Sequence, residues 1–190
     1  MLGQTADGKQ ILLASCSTGC ALLLELGRLR EIAFRAVGEG SGLRRDLDKY
    51  DDDYLHLLLW DPGVLEIVGA YRFIPTAEQL ARKGLAGLYS HSLFAYGAGM
   101  EEILAQGIEL GRSFIQPAYW GRRGLDYLWQ GIGAFLARHP EYRYLFGPVS
   151  ISGSMPLAAR DLLVTFYRLY FAAPPSVAHS RNPYPPSSPQ

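Results

Sequence analysis

The sequence has no excess of charge of either sign: 18 lysines and arginines balance 18 aspartates and glutamates over 190 residues. A balanced chain has no broad field with which to draw in nucleic acid or an anionic membrane. Cysteine is scarce. Cys16 and Cys20, with no histidine or further cysteine beside them, make neither a zinc site nor a disulfide framework, and are expected as free, partly buried thiols of a cytosolic protein. The histidines (His56, His91, His139, His179) are scattered, so no metal site is expected. No run approaches the ~20 apolar residues that a membrane-spanning helix needs. Leu13-Ala14-Ser15-Cys16 has the form of a lipoprotein cleavage box, but Asp7, Lys9 and Gln10 stand where a basic start and a long apolar core belong. No Gly-x-Ser-x-Gly elbow is present to support serine hydrolase chemistry.

What is there has ordinary globular proportions, 48% hydrophobic and 19% charged. One domain is expected over residues 1–173, long enough for a real core. Pro174 to Gln190, rich in proline and serine, reads as a loose tail that cannot bury enough apolar surface to order itself. Gln10 to Ser15 is a first strand. Apolar residues at helical spacing predict a helix over about Thr18 to Val37, stopped by the glycine-rich run Gly38 to Gly42. A charged loop follows, Leu43 to Asp53. Tyr54–Trp60 and Leu65–Phe73 form a hairpin across Asp61-Pro62-Gly63. Residues 76–107 are a weakly patterned insertion with a helix at Ala77 to Lys83. Then come a strand (Gly107 to Ile115), a helix (Gly124 to Arg138), a strand (Tyr144 to Ile151) and a helix (Pro156 to Phe171), with Pro156 in a favoured first-turn position. Strands with crossover helices on one chain mean a mixed α/β sheet.

Three features could carry chemistry. In the strand Gly107–Ile115, alternation puts Glu109, Gly111 and Ser113 on one face and Leu110, Arg112 and Phe114 on the other. Charges in a buried strand need partners, so Glu109 and Arg112 should have them, and a structural ion pair is as good a reading as catalysis. Gly111 in the strand interior hints at a bulge or a close backbone approach. Second, Gln116 to Gly124 (Gln-Pro-Ala-Tyr-Trp-Gly-Arg-Arg-Gly) follows a strand and opens a helix, where backbone N–H groups and two arginines suit an anion such as a phosphate. Third is the acidic loop, of which Asp46, Asp52 and Asp53 read as solvated.

Taken as a set, Arg30-x-x-x-Phe34, Asp48-x-x-Asp51, Arg72 at a strand end and Glu109-x-x-Arg112 resemble the series of GNAT-like N-acyltransferases that take acyl groups from acyl carrier protein, the acyl-homoserine lactone synthases among them. Glu-Leu-Gly-Arg-Ser, Leu128-Trp129-Gln130-Gly131-Ile132 and Leu145-Phe146-Gly147-Pro148-Val149-Ser150 look most like the ornithine acyltransferase branch, whose members also carry the label hemolysin. The similarity runs from about Ile11 to Ser152. Glycines replace the tryptophan that the lactone synthases carry after the phenylalanine. Gly121-Arg122-Arg123-Gly124-Leu125-Asp126 fits the usual acetyl-CoA loop poorly.

The resemblance implies a GNAT-like α/β fold, a mostly antiparallel sheet splayed between its fourth and fifth strands (Ile108–Ile115 and Tyr144–Ile151) and flanked by helices. It implies that a long-chain 3-hydroxyacyl group passes from an acyl-phosphopantetheine thioester, on acyl carrier protein or CoA, to the amine of an amino acid such as ornithine, in a cytoplasmic protein peripheral to the inner membrane. Glu109 would be the general base; Arg30, Arg72 and Arg112 would pair with Asp48, Asp51 and Glu109. Gly111 and Ser113 would meet the thioester, and Trp120, Gly121, Arg122, Arg123 and Gly124 the phosphopantetheine. Phe34, Phe73, Phe94, Trp120 and Trp129 are candidates for an acyl tunnel, though singly each reads better as core, and Tyr167 is a candidate for protonating the thiolate. An acetyl-CoA-dependent enzyme acting on a small amine is the rival reading. A hemolysin would need an amphipathic or spanning segment that the sequence does not offer.

Overall fold

A computed structural model describes residues 1–172, 174 and 176–185. In chain order it has β1 (Gly3–Gln4), β2 (Gln10–Ser15), α1 (Ala21–Ala36), β3 (Leu55–Asp61), β4 (Glu66–Pro75), α2 (Thr76–Lys83), β5 (Phe94–Tyr96), α3 (Glu101–Ala105), β6 (Gly107–Ile115), α4 (Gly124–Leu136), β7 (Tyr144–Phe146), α5 (Leu157–Tyr170) and β8 (Ala178–Ser180). One sheet runs β1-β2-β3-β4-β6-β7. Its neighbours are antiparallel except β6 and β7, which are parallel. The expected mixed, mostly antiparallel α/β architecture is what forms.

Alternation along the central strands explains the two layers. Leu57 and Leu59 of β3 pack with Phe73, Ile108 and Leu110 beneath Leu128, Ile132 and Phe135 of α4. Leu58, between them, points the other way and joins Ala70 and Phe114 beneath Leu26, Leu29 and Ala33 of α1. Helix α1 starts where the Cys20 thiol accepts a hydrogen bond from the Leu23 N–H, three residues after the expected Thr18, because Gly19 turns the chain with φ +87°.

Two expectations are corrected. The strand expected to reach Ile151 stops at Phe146. Gly147 lies so close under Leu110 that a Cβ would fall on the Leu110 carbonyl oxygen, and Pro148 has no N–H to continue a ladder. The tail, where described, is not loose. β8 pairs antiparallel with β5, Gly97 and Gly99 donate to the carbonyls of Val177 and Ser176, and Arg181 N–H donates to Leu93. Composition misses this because strand pairing uses backbone groups that every residue has. The insertion is likewise ordered, around Tyr50, Tyr54, Ile74, Leu88, Met100 and Leu104. Residues 173, 175 and 186–190 lie outside the described residues.

Candidate active site

The site is built on an irregularity in β6. Opposite β4, Gly111 pairs with Arg72 and Phe114 with Ala70, so Tyr71 alone faces both Arg112 and Ser113. The extra residue is taken up by Arg112 at φ +53°, a left-handed conformation that costs an L-residue roughly 1–2 kcal/mol. This bulge reverses the alternation. Ile108 and Leu110 pack toward α4, whereas Phe114, of the same parity, packs toward α1. The opposite-face assignment of Glu109 and Arg112 is therefore corrected: the bulge turns Arg112 onto the α1 side, its guanidinium 6.0 Å from the Phe34 ring centre and 5.3 Å from that of Tyr89. Gly111 did mark the bulge, although the positive φ falls on its neighbour.

Around this point three arginines meet three aspartates. Arg30 Nη1 donates to Asp51 Oδ1 at 3.0 Å and to the Asp46 carbonyl at 3.2 Å. Arg72 Nη1 donates to Asp48 Oδ1 at 2.7 Å and Asp51 Oδ1 at 2.9 Å. Asp51 Oδ2 also accepts from the Asp48 N–H at 2.8 Å. Burial pushes the Asp51 carboxyl up, but Arg30 and Arg72 outweigh it and hold it below the usual aspartate range. Arg112 is different. Its Nη1 and Nη2 stand 3.6 Å from Asp46 Oδ2 and Asp48 Oδ2, beyond hydrogen-bond distance. Its Nε and Asp48 Oδ2 are both buried with no hydrogen-bond partner among the described residues. Asp46, expected in solvent, is buried in this cluster; burial raises its pKa against the pull of Arg112 and Arg30. Asp53 is also not merely solvated: Arg82 and Lys83 grip it, tying the loop to α2. Asp52 is exposed and bonds the Thr18 hydroxyl.

Glu109 pairs with no arginine, contrary to expectation. It is 1% exposed. Its Oε2 accepts from the Tyr54 hydroxyl at 2.9 Å and its Oε1 from the Ser90 N–H at 2.6 Å. The Tyr54 hydroxyl accepts in turn from the Tyr89 N–H. Burial raises the Glu109 pKa, only partly offset by these hydrogen bonds and the Arg72 charge.

The parallel ladder ends at Glu109–Phe146, where β7 itself ends, and Gly147 still lies against Leu110. Past Gly147 there is a cleft of about 450 Å³ walled by Phe34, Glu39, Tyr71, Tyr89, Gly111 to Ser113 and Pro148 to Ser150. A second hollow of about 330 Å³ shares Ser113 and runs to Tyr119, Trp120, Gly121, Arg122 and Leu125 at the start of α4. Gly121 turns there with φ +73°. Gly124 meets Ile115 at that helix start, while Arg123 lies over the Tyr127 ring and 3.8 Å from Asp126.

The remaining sequence candidates scatter. Phe73 is core, its ring 4.9 Å from Phe135. Trp129 is half-exposed on α4 against Tyr71, and Phe94 sits on β5. Tyr167 is exposed on α5, a helix that buries none of its residues. Sequence reasoning missed Tyr89, whose ring stacks under Arg72 and Arg112; nothing in the insertion's pattern singles it out. Among the described residues no three His, Cys, Asp or Glu side chains are grouped to hold a metal, and no helix is long and apolar enough to cross a membrane.

The model of the acetyltransferase (GNAT) domain family matches residues 29–130, more than half of the chain. The chain belongs to the GNAT family. The matched segment of this GNAT chain contains the whole arginine–aspartate cluster, the bulge and the Tyr119–Gly124 loop. The chain is similar to a glycine N(alpha)-acyltransferase of Bacteroides thetaiotaomicron, 37% identical over 177 residues, covering 87% of this chain and 52% of that protein. It is also similar to an L-ornithine N(alpha)-acyltransferase of Brucella abortus, 33% identical over 144 residues, covering 68% and 50%. This GNAT chain thus spans about half the length of these relatives. A crystal structure of TofI in a ternary complex with an inhibitor and MTA aligns with TM-score 0.45 and 23% identity, covering 73% of this chain and 71% of that one.

Proposed function

We propose that this chain transfers an acyl group from a phosphopantetheine thioester to the amine of an amino acid. The carrying observation is a loosely met pair beside the cleft: Arg112, on the cleft wall, makes no hydrogen bond among the described residues, and Asp48 Oδ2, 3.6 Å from its Nη2, accepts none. Buried donors and acceptors left unmet are costly. A zwitterion satisfies both, its carboxylate on Arg112 and its ammonium on Asp48. The names of the two relatives, amino-acid N-acyltransferases, support the same acceptor class.

The acyl thioester enters the cleft between Gly111–Ser113 of β6 and Pro148–Ser150, which follow β7. Its carbonyl lies against the Gly111–Ser113 backbone, which has no β7 partner, so N–H groups there receive the developing oxyanion. The phosphate of the arm meets the turn at Gly121 to Gly124, where first-turn N–H groups of α4 and Arg122 favour an anion. The ammonium loses a proton toward Glu109, the carboxyl whose burial raises its affinity for one, by way of an intervening water. The free amine attacks the thioester carbon, the C–N bond forms, the C–S bond breaks, and the thiolate leaves to take up a proton. The poor fit to an acetyl-CoA loop favours a long 3-hydroxyacyl group carried on acyl carrier protein, for the synthesis of an acylated amino-acid lipid.

The test incubates the protein with 3-hydroxyacyl-acyl carrier protein, the matching acyl-CoA or acetyl-CoA, each with ornithine or glycine, and measures amide product by mass spectrometry. Long-chain N-acyl amino acid is expected from the carrier-protein donor. Product from acetyl-CoA alone would transfer the assignment to the small-amine acetyltransferase reading, and no amide with any donor would remove it.

A further inference from the structure

An acceptor such as ornithine brings a second ammonium, and with its reacting ammonium on Asp48 the carboxylates around the arginines are already engaged. Asp51 is shared between Arg30 and Arg72. Asp48 gives one oxygen to Arg72, Asp46 faces Arg112, and both Glu109 oxygens accept hydrogen bonds, from Tyr54 and Ser90. One acidic residue on the cleft wall remains, Glu39. It stands in the turn that ends α1, where Gly38 takes φ +77° and the Glu39 N–H donates to the Phe34 carbonyl at 2.8 Å. That bond fixes Glu39 next to the phenylalanine whose ring the Arg112 guanidinium approaches to 6.0 Å. The Glu39 carboxylate is exposed and has no hydrogen-bond or ion-pair partner among the described residues. The two charged residues that wall the cleft, Arg112 and Glu39, are thus of opposite sign.

We infer that Glu39 determines acceptor specificity by receiving a side-chain cation, so that the cleft selects α-amino acids carrying a second ammonium over those without one. This rests on the amino-acid acyltransferase reading above. The acceptor's carboxylate is held at Arg112, its reacting amine lies beside the bulge, and its chain runs along Phe34 toward Glu39. Because Glu39 is far exposed relative to the core, its substitution leaves the packing of α1 intact.

The experiment compares kcat/KM for ornithine with that for 2-aminopentanoate, which has the same carbon chain and no second amine, in the wild type and in Glu39→Gln. A charge-assisted contact that is lost should favour ornithine about tenfold or more in the wild type. In Glu39→Gln the ratio should collapse toward one. A general structural injury would lower both acceptors and leave the ratio unmoved. Equal use of the two acceptors by the wild type, or an unchanged ratio in the variant, overturns the Glu39 assignment while amino-acid acylation stands. If neither of these acceptors nor glycine is acylated, the broader reading fails and this one with it.

Discussion

In Asp51→Asn one buried charge is removed while the shape of the side chain is kept. Asp51 is 2% exposed at its side chain, and its partners Arg30 and Arg72 are 2% and 1% exposed at theirs. The asparagine leaves two guanidiniums side by side without the anion they share, and its amide turns further donors toward them. Breaking a buried pair in this way costs about 3–5 kcal/mol, a large part of the ~5–15 kcal/mol by which domains are stable. At about 2–4 °C per kcal/mol for a chain of this length, the melting temperature should fall by roughly 6–20 °C. Asp52→Asn, exposed and bonded only to Thr18, should stay within about 0.5 kcal/mol of the wild type. Circular dichroism melts at pH 7 read both. The acid limb gives an independent check. With its folded pKa held below the ordinary value, the Asp51 carboxylate stabilises fully above about pH 4, and that contribution is lost as pH falls through the folded pKa. Asp51→Asn should lack that part of the acid loss. Equal melting temperatures for the two variants would refute the view that the cluster clamps the loop.

Glu109→Gln should keep the fold but lower turnover by about 100-fold or more, since the amide cannot accept a proton; near-full activity in a thiol-release assay removes Glu109 from the mechanism. With burial raising its pKa, wild-type kcat/KM should rise with pH through a value above the ordinary glutamate range; a flat profile across that range would speak against a base there. Reversing Arg122 and Arg123 to Glu should raise the KM for acyl carrier protein and flatten its salt dependence; an unchanged KM places docking elsewhere. Gly147→Ala should cost about 1–3 kcal/mol by overpacking against Leu110 and raise the donor KM, and a variant indistinguishable in melt and KM would show the slot to be more yielding than drawn.

The periodic elements were legible because their residues report the layer they face. Leu57, Leu58 and Leu59 alternate between two helices, and β6 was placed from Gly107 to Ile115 as found. The polar set Arg30, Asp48, Asp51, Arg72 and Arg112 does converge. What sequence could not show is who pairs with whom. Glu109 and Arg112, three apart, were expected within one ion-pair network, yet the backbone at Arg112 and the insertion's Ser90 give them different partners. Asp46 resembled its exposed neighbours because burial there is conferred by Gly27 and Arg30 of another element. The pairing of β8 with β5 depends on backbone edges, which composition does not describe.

The single inserted residue in β6 also acts as a half-step in the strand's reading frame. Upstream of it even-numbered side chains belong to α4, and downstream they belong to α1. Point substitutions in β6 therefore disturb one contact at a time, and deleting one residue between Leu110 and Phe114 would restore regular alternation while leaving the layers downstream where they are. Phe114 would still face α1 and Ile115 α4, but the left-handed arginine would cease to exist as a conformation; flattening the bulge at unchanged length is what would drive Phe114 toward α4 and Ile115 toward α1. The extra residue thus serves the site, by turning Arg112 out of the ladder, and the core on either side of it is what a shorter, regular strand would also build.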